Sequence, residues 1–228
     1  MSEKEKIAFN LEKIFKDIDE ICKRNSRDPS SLKVIAAIKY ANPEQVQMLY
    51  DLGVSDFGEN RAGDLVYKSK YVKGSPIWHF IGHLQSNKIK KVVPIASYIH
   101  SIENFDTLVK IDSFAKSINK IQKILIEVNV SEEKTKYGLS LAEVNNFVLD
   151  ALKYDNIKVC GLMTIAPFTD DLGYVKEIFC SLKNKLNELN KSIEALNMSE
   201  LSMGMSNDFK VAIEEGATML RIGSAIFK

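Results

Sequence analysis

The chain has 228 residues, 45% hydrophobic and 27% charged, with 31 basic and 30 acidic side chains and a formal net charge of +1. That length suits one large domain or two small ones, and the charge balance excludes a general electrostatic affinity for nucleic acid or an acidic membrane. Charge-free stretches such as 159–169 fall short of the roughly 18 residues of a membrane span, the opening MSEKEKIAF has no apolar signal-peptide core, and Cys22, Cys160 and Cys180 lie too far apart for a disulfide framework or zinc site, so they read as reduced thiols of a cytoplasmic protein.

Residues 3–24 place Ile7, Leu11, Ile14, Ile18 and Ile21 in steps of four and three, with Lys and Glu between them. This is an amphipathic helix, expected to pack on its own domain. After Asp28-Pro29-Ser30-Ser31 the pattern becomes short apolar runs alternating with helix-period segments. The runs are Val34–Ile38, Val54–Gly58, Trp78–Ile81, Tyr98–His100, Ile124–Val130, Val159–Met163, Leu201–Met203 and Met219–Ile222. The helices expected between them are Glu44–Leu52, Arg61–Lys70, Gln85–Val93, Phe105–Ser117, Leu141–Leu152, Leu172–Leu189 and Asp208–Glu215. Gly53 and Gly216 stand where the first and last of these should stop, and Asn104 and Ser140 where the fourth and fifth should be capped.

Strands that alternate with helices form a parallel sheet, because each crossover needs a helix. An open dinucleotide-binding sheet would carry a Gly-rich turn after its first strand, where this chain has Lys39-Tyr40-Ala41-Asn42. The expected architecture is therefore α/β, a single (β/α)8 TIM barrel spanning residues 1–228, with residues 1–30 as an extra N-terminal helix packed on it.

Reactive groups in such barrels sit at the C-terminal ends of strands. The first run ends in Lys39, where partial desolvation would favour a neutral amine, the form that makes a Schiff base with an aldehyde. A lysine closing a strand is also commonly just solvated. Phe57-Gly58-Glu59-Asn60 brings an amide and a carboxylate to the same rim; Glu59 could equally complement the helix that follows, and Asn60 could cap it. The strongest signal is Leu201-Ser202-Met203-Gly204-Met205-Ser206-Asn207-Asp208, which leads from the seventh strand into a helix, and Arg221-Ile222-Gly223-Ser224 at the end of the eighth. Gly204 and Gly223 let backbone N–H groups approach an anion, Ser206 and Ser224 add hydroxyls, and these two loops are the recurring phosphate site of the fold. Gly-Ser turns also cap helices with no ligand at all. A Schiff-base lysine and a phosphate cradle at one barrel mouth suggest pyridoxal 5′-phosphate (PLP). Arg221 would then stand near the pyridine ring, where a fixed positive charge disfavours ring protonation.

VIAAIKY, DFGEN (56–60), WHFIGHLQSNK (78–88), IHSIENFDTL (99–108), ILIEVNVSEEKTKYGLS (124–140), GLMTI (161–165), LSMGMSNDF (201–209) and TMLRIGSAIF (218–227) together resemble the pyridoxal-phosphate homeostasis proteins, barrel-only relatives of alanine racemase, from about Leu32 to Phe227. The resemblance implies a barrel of the alanine racemase N-terminal type. It makes Lys39 the Schiff-base lysine, puts Ser206, Gly223 and Ser224 at the phosphate and Arg221 at the ring nitrogen, and sets Asn60 and Met203 around the ring. It implies a cytoplasmic protein that holds PLP and serves the homeostasis of vitamin B6 and, indirectly, of amino acids, with PLP-dependent enzymes as possible clients. The chain departs from the family pattern at Ile38, at Tyr40-Ala41 and at His83, and it ends where a short C-terminal extension is usual.

His79 and His83 have the spacing of a helical zinc pair, but they lie on a strand, where four residues span about 13 Å, so no metal is expected. His79 could instead face the cofactor pocket. Lys68, Lys70, Lys73, Lys88, Lys90 and Lys91 read as a solvated helix face. Lys136 is a candidate second amine at the barrel mouth, or a plain surface lysine. The alternative function is a PLP-dependent amino-acid racemase, which needs acids or bases on both faces of the substrate carbanion. The resembling racemases supply one of these from a C-terminal β-domain that this sequence lacks, which favours a carrier and, without that domain's contact, a monomer. A lysine-dependent aldolase ranks last.

Overall fold

Ser2 opens the first helix with a reciprocal cap: Glu5 N–H donates to Ser2 Oγ and Ser2 N–H to the Glu5 carboxylate. The computed structural model describes residues 2–133 and 135–228. In it, α1 (Glu3–Arg24) buries Ile7, Leu11, Ile14, Ile18 and Ile21, the stripe expected from the spacing. The following elements are β1 (Lys33–Ala37), α2 (Pro43–Asp51), β2 (Asp56–Glu59), α3 (Ala62–Tyr71), β3 (Ile77–Phe80), α4 (Ile89–Val92), β4 (Tyr98–Ile102) and α5 (Phe105–Ser117). The second half continues with β5 (Gln122–Glu127), α6 (Val144–Ala151), β6 (Ile157–Met163), α7 (Leu172–Ser192), β7 (Glu200–Ser202), α8 (Phe209–Glu214), β8 (Met219–Ile222) and α9 (Ser224–Phe227).

The eight strands pair in sequence order, all parallel, and β1 closes on β8 to complete a barrel. Ile35 stands opposite both Asp56 of β2 and Arg221 of β8, which sets the register at the seam. The main apolar core lies between the strands and the helices outside them. A second, smaller apolar cluster of Ile35, Leu125, Cys160, Met163 and Met219 sits apart from it. The α1 stripe packs into the main core; five buried Ile and Leu side chains contribute on the order of 10 kcal/mol gross. That outweighs the exposed Asp17–Lys210 ion pair (2.8 Å), worth about 0–1 kcal/mol. Arg27, just past α1, adds hydrogen bonds to the carbonyls of Ile213 and Ala217 beside α8, and Asn10 one to Ile226 of α9.

The expected punctuation holds at Gly53 and Gly216, both with positive φ after α2 and α8, and at Asn104, whose side chain accepts from Thr107 N–H. Two helices differ from expectation. Residues 85–93 form a 3-10 turn (Ser86–Lys88) and then the single turn of α4, because no side chain caps the start and Pro94 prevents continuation. The segment 141–152 becomes helical only at Val144: Ser140 donates from both its N–H and its hydroxyl to the Glu143 carboxylate, closing a turn in place of capping a helix.

Candidate functional site

At the C-terminal end of the barrel lies a cavity of about 440 Å³, within the range of small-ligand sites. Lys39, Ser206, Arg221, Gly223 and Ser224 all line it, so five of the seven residues singled out in the sequence converge on one space. Ala166, Pro167, Phe168, Leu172 and Val175, around the end of β6 and the start of α7, supply much of its apolar wall.

β1 ends at Ala37, and the buried Ile38 makes the turn. Its N–H donates to Gly58 O (2.9 Å), and its carbonyl accepts from Ala41 N–H (3.0 Å) and from Lys68 Nζ (2.7 Å). This tight turn leaves Lys39 and Tyr40 exposed at the rim, with the Lys39 ammonium 5.0 Å from the Tyr40 ring centroid. Lys39 is thus exposed where partial desolvation was expected, because it sits in a tight turn at the rim. Lys68 is the opposite correction. Read as part of a solvated face, it is buried in an ion pair with Glu59 (2.6 Å), itself fully buried. Lys70, Lys73, Lys90 and Lys91 are exposed as expected, and Lys88 is half-buried. The other Glu59 oxygen accepts the N–H groups of Asn60 and Arg61, ahead of α3, so Glu59 serves the helix start.

The β7–α8 loop turns at Gly204, whose φ of +91° and close approach to Ala212 require glycine. Gly204 thus shapes the loop and does not line the cavity, while its carbonyl accepts from Arg221 N–H (2.9 Å). Ser206 Oγ accepts from Gly223 N–H (3.3 Å) and Ala225 N–H (3.1 Å), tying the two predicted loops together. Among the described residues no acceptor engages the N–H groups of Ser206, Asn207 or Ser224, all in cavity-lining residues.

Arg221 is buried, and its guanidinium is clamped by Ser202 O (2.7 Å), Ser202 Oγ (2.6 Å) and Thr164 O (2.8 Å). Burial pushes its pKa down to about 10, against the opposing charges of Glu127 and Asp208, so it remains a cation at neutral pH. Five N–H groups are available on a guanidinium, and three are used. Nε–H and one Nη2 hydrogen have no protein acceptor among the described residues. Among the described residues, an amine without a carboxylate partner, free N–H groups on two loops and a clamped guanidinium fit a ligand that combines an electrophilic carbon, a phosphate and a ring acceptor. That is the donor set PLP requires.

Asn60 and Met203 lie elsewhere. Asn60 lines a second cavity of about 330 Å³ with Arg61, His83, Lys88 and Lys91, and Met203 is fully buried beneath the Gly204 turn. His79 does not face the pocket either: it is buried inside the barrel against Asp56 (3.0 Å) and His100 (2.9 Å). His83 pairs with Glu103 (3.1 Å) and stacks on Tyr137. Among the described residues no group of three His, Cys, Asp or Glu is arranged to hold a metal. Lys136 is half-buried and held by Glu133 (3.0 Å) and the Ile165 carbonyl (3.4 Å), beside the cavity wall. The sequence reading missed Glu127, whose pKa is raised to about 7 by burial and then by Glu103, against the Arg221 charge. Its only signal was a carboxylate closing the apolar run Ile124–Ile126.

The sequence profile of the alanine racemase N-terminal domain matches residues 11–228. A pyridoxal phosphate homeostasis protein of Aquifex aeolicus is 37% identical over 218 residues, covering 95% of each chain. Among solved structures, an unknown protein from Bifidobacterium adolescentis superimposes with a TM-score of 0.92 at 29% identity, covering 99% of this chain and 96% of its own. PipY of Synechococcus elongatus, solved with PLP bound, gives 0.83 at 28% identity, covering 93% of this chain and all of its own.

Proposed function

Given that the chain belongs to the pyridoxal phosphate homeostasis proteins, built on the alanine racemase N-terminal domain, we propose that it binds PLP at the barrel mouth and acts in PLP homeostasis. In this reading Lys39 holds the cofactor as a Schiff base, a bond formed between its amine and the cofactor aldehyde with loss of water. Ser206, Gly223 and Ser224 hold the phosphate, Arg221 meets the ring nitrogen, and Asn60 and Met203 shape the ring's surroundings from further away. When bound, PLP supplies an electrophilic aldehyde and a conjugated ring that can accept electrons. A guanidinium at the ring nitrogen does not give up its proton, so it keeps that sink weak.

The observation that carries this reading is the convergence of Lys39, Arg221 and the two loops on one cavity. An exposed Lys39, beside the protruding Tyr40 and Phe168, suits exchange of the cofactor with solvent or with client enzymes. We therefore read the protein as a cytoplasmic carrier that works as a monomer and does not turn over amino acids. Among the described residues no helix is long and apolar enough to cross a membrane.

Titration with PLP, followed by visible absorbance, should give a saturable imine band in the parent and none in Lys39→Ala. Incubation with L-alanine should leave its chirality unchanged. Identical bands in the two proteins would move the attachment away from Lys39, and racemisation abolished by Lys39→Ala would make the protein an enzyme.

A further inference from the structure

Barrel interiors of this fold are ordinarily filled with branched apolar side chains, and a buried polar group is costly unless it is hydrogen-bonded. Here a continuous polar chain crosses the interior from the N-terminal end of β2 to the cavity wall. Asp56 Oδ1 lies 3.0 Å from His79 Nε2, His79 Nδ1 lies 2.9 Å from His100 Nε2, and His100 Nδ1 lies 2.9 Å from Ser202 Oγ. Arg221 then donates to that same Ser202 Oγ at 2.6 Å. All five residues are buried, and they come from β2, β3, β4, β7 and β8. The second Asp56 oxygen accepts from Ser55 Oγ, and Tyr98 stacks flat on His79 at 5.1 Å.

The hydrogens in this chain can be assigned from its ends. Burial works against ionisation of Asp56, but the hydrogen bonds from His79 and Ser55 outweigh it and hold its carboxyl below the usual range. A carboxylate only accepts, so His79 Nε2 carries a hydrogen. At the other end a guanidinium only donates, so Ser202 Oγ accepts from Arg221 and has its own hydrogen to give to His100 Nδ1. Burial above all holds the His100 pKa well below the ordinary value, so that ring is neutral. With Nδ1 accepting, its single hydrogen is on Nε2 and is donated to His79 Nδ1. Every bond then runs the same way, from Arg221 through Ser202, His100 and His79 to Asp56.

We propose that Asp56, His79, His100 and Ser202 form a relay of fixed hydrogen-bond direction that holds the Arg221 guanidinium in the cavity wall, which makes them positioning residues for the ligand Arg221 faces. The last step rests on the PLP reading above, whereas the relay itself does not. His79, His100 and Ser202 each have one donor and one acceptor role in the chain, with Asp56 as the terminal acceptor, so a change at Asp56 reaches Arg221 through three intervening side chains.

The test has two arms. In protein without added PLP, nitrogen-15 NMR should show both His79 and His100 neutral with hydrogen on Nε2. Hydrogen on Nδ1 of either ring, or a doubly protonated His79, would overturn the relay whatever the protein binds. In the second arm, Ser202→Ala and Asp56→Asn, neither of which lines the cavity, are titrated with PLP. The relay predicts a shifted imine absorbance and affinity weakened about three- to tenfold for each, with Ser202→Thr restoring the parent spectrum. Ser202→Ala keeps the Ser202 backbone acceptor for Arg221, so it serves if Asp56→Asn fails to fold. An unshifted spectrum and parental affinity in a folded Ser202→Ala would reduce the chain to structural filling. No PLP binding by the parent, with the expected tautomers present, would refute the PLP reading and leave the relay standing.

Discussion

Replacing Lys68 by methionine removes an ammonium that two buried groups depend on. Lys68 Nζ is 2.6 Å from Glu59 Oε2 and 2.7 Å from the Ile38 carbonyl, and Glu59 is fully buried. Methionine keeps most of the volume, so the loss is chiefly electrostatic. Breaking a buried ion pair by removing one partner costs about 3–5 kcal/mol. Glu59 retains the Asn60 and Arg61 N–H groups (2.7 and 3.2 Å), which places the expected cost near the lower end, about 3 kcal/mol. For a chain of this size that lowers Tm by roughly 6–12 °C. The assay is thermal denaturation of Lys68→Met, Glu59→Gln and the double variant by circular dichroism. The double variant should lose less than the sum of the singles, because each single strands a partner. The Ile38 carbonyl, freed from Lys68, should also loosen the Lys39 turn and weaken PLP binding. A Lys68→Met Tm within about 2 °C of the parent is the result for a solvated helix lysine, and it would refute this account of the pair.

Three other outcomes follow from the structure. Glu127 has a folded pKa of about 7 against an ordinary 4.5. As pH rises between those values the unfolded chain ionises while the folded one resists, so stability falls by about 3 kcal/mol and stays lower above pH 7. Glu127→Gln should therefore match the parent in urea denaturation at pH 4.5 and exceed it at pH 8; equal stability at both would show that Glu127 is not perturbed. Gly204→Ala must place a Cβ 2.5 Å from that of Ala212 at a φ of +91°, and should cost about 2–4 kcal/mol, measured by urea denaturation; a loss under 1 kcal/mol would mean that the loop relaxes freely. Lys39→Ala should leave Tm within about 2 °C of the parent, because the side chain is exposed; a larger drop would give Lys39 a structural role.

The barrel was legible in the sequence because parallel strands buried on both faces read as short, largely apolar runs between helix-period segments, and each expected run overlaps its observed strand. β8 matched to the residue, and Lys39 could be found because it follows such a run. Ser206, Gly223 and Ser224 were legible because their turn chemistry is local. What stayed hidden depends on long-range pairing. Lys68 has the spacing of any helix-surface lysine, and only the fold brings Glu59 and Ile38 to it. The Asp56–His79–His100–Ser202–Arg221 chain includes a direct bond between residues 102 positions apart, so no window of sequence contains it. His79 looked like a rim residue because it stands near the end of a strand, yet its side chain turns inward. The placement of Asn60 and Met203 around the ring came from the resemblance, and neither lines the cavity that the other five line.

The most direct test of the account is to load the protein with PLP, reduce it with borohydride and map the modified peptide by mass spectrometry. The account predicts one phosphopyridoxyl group, on Lys39. A modification confined to Lys136 or another lysine, or an unmodified protein after incubation with excess PLP, would contradict it.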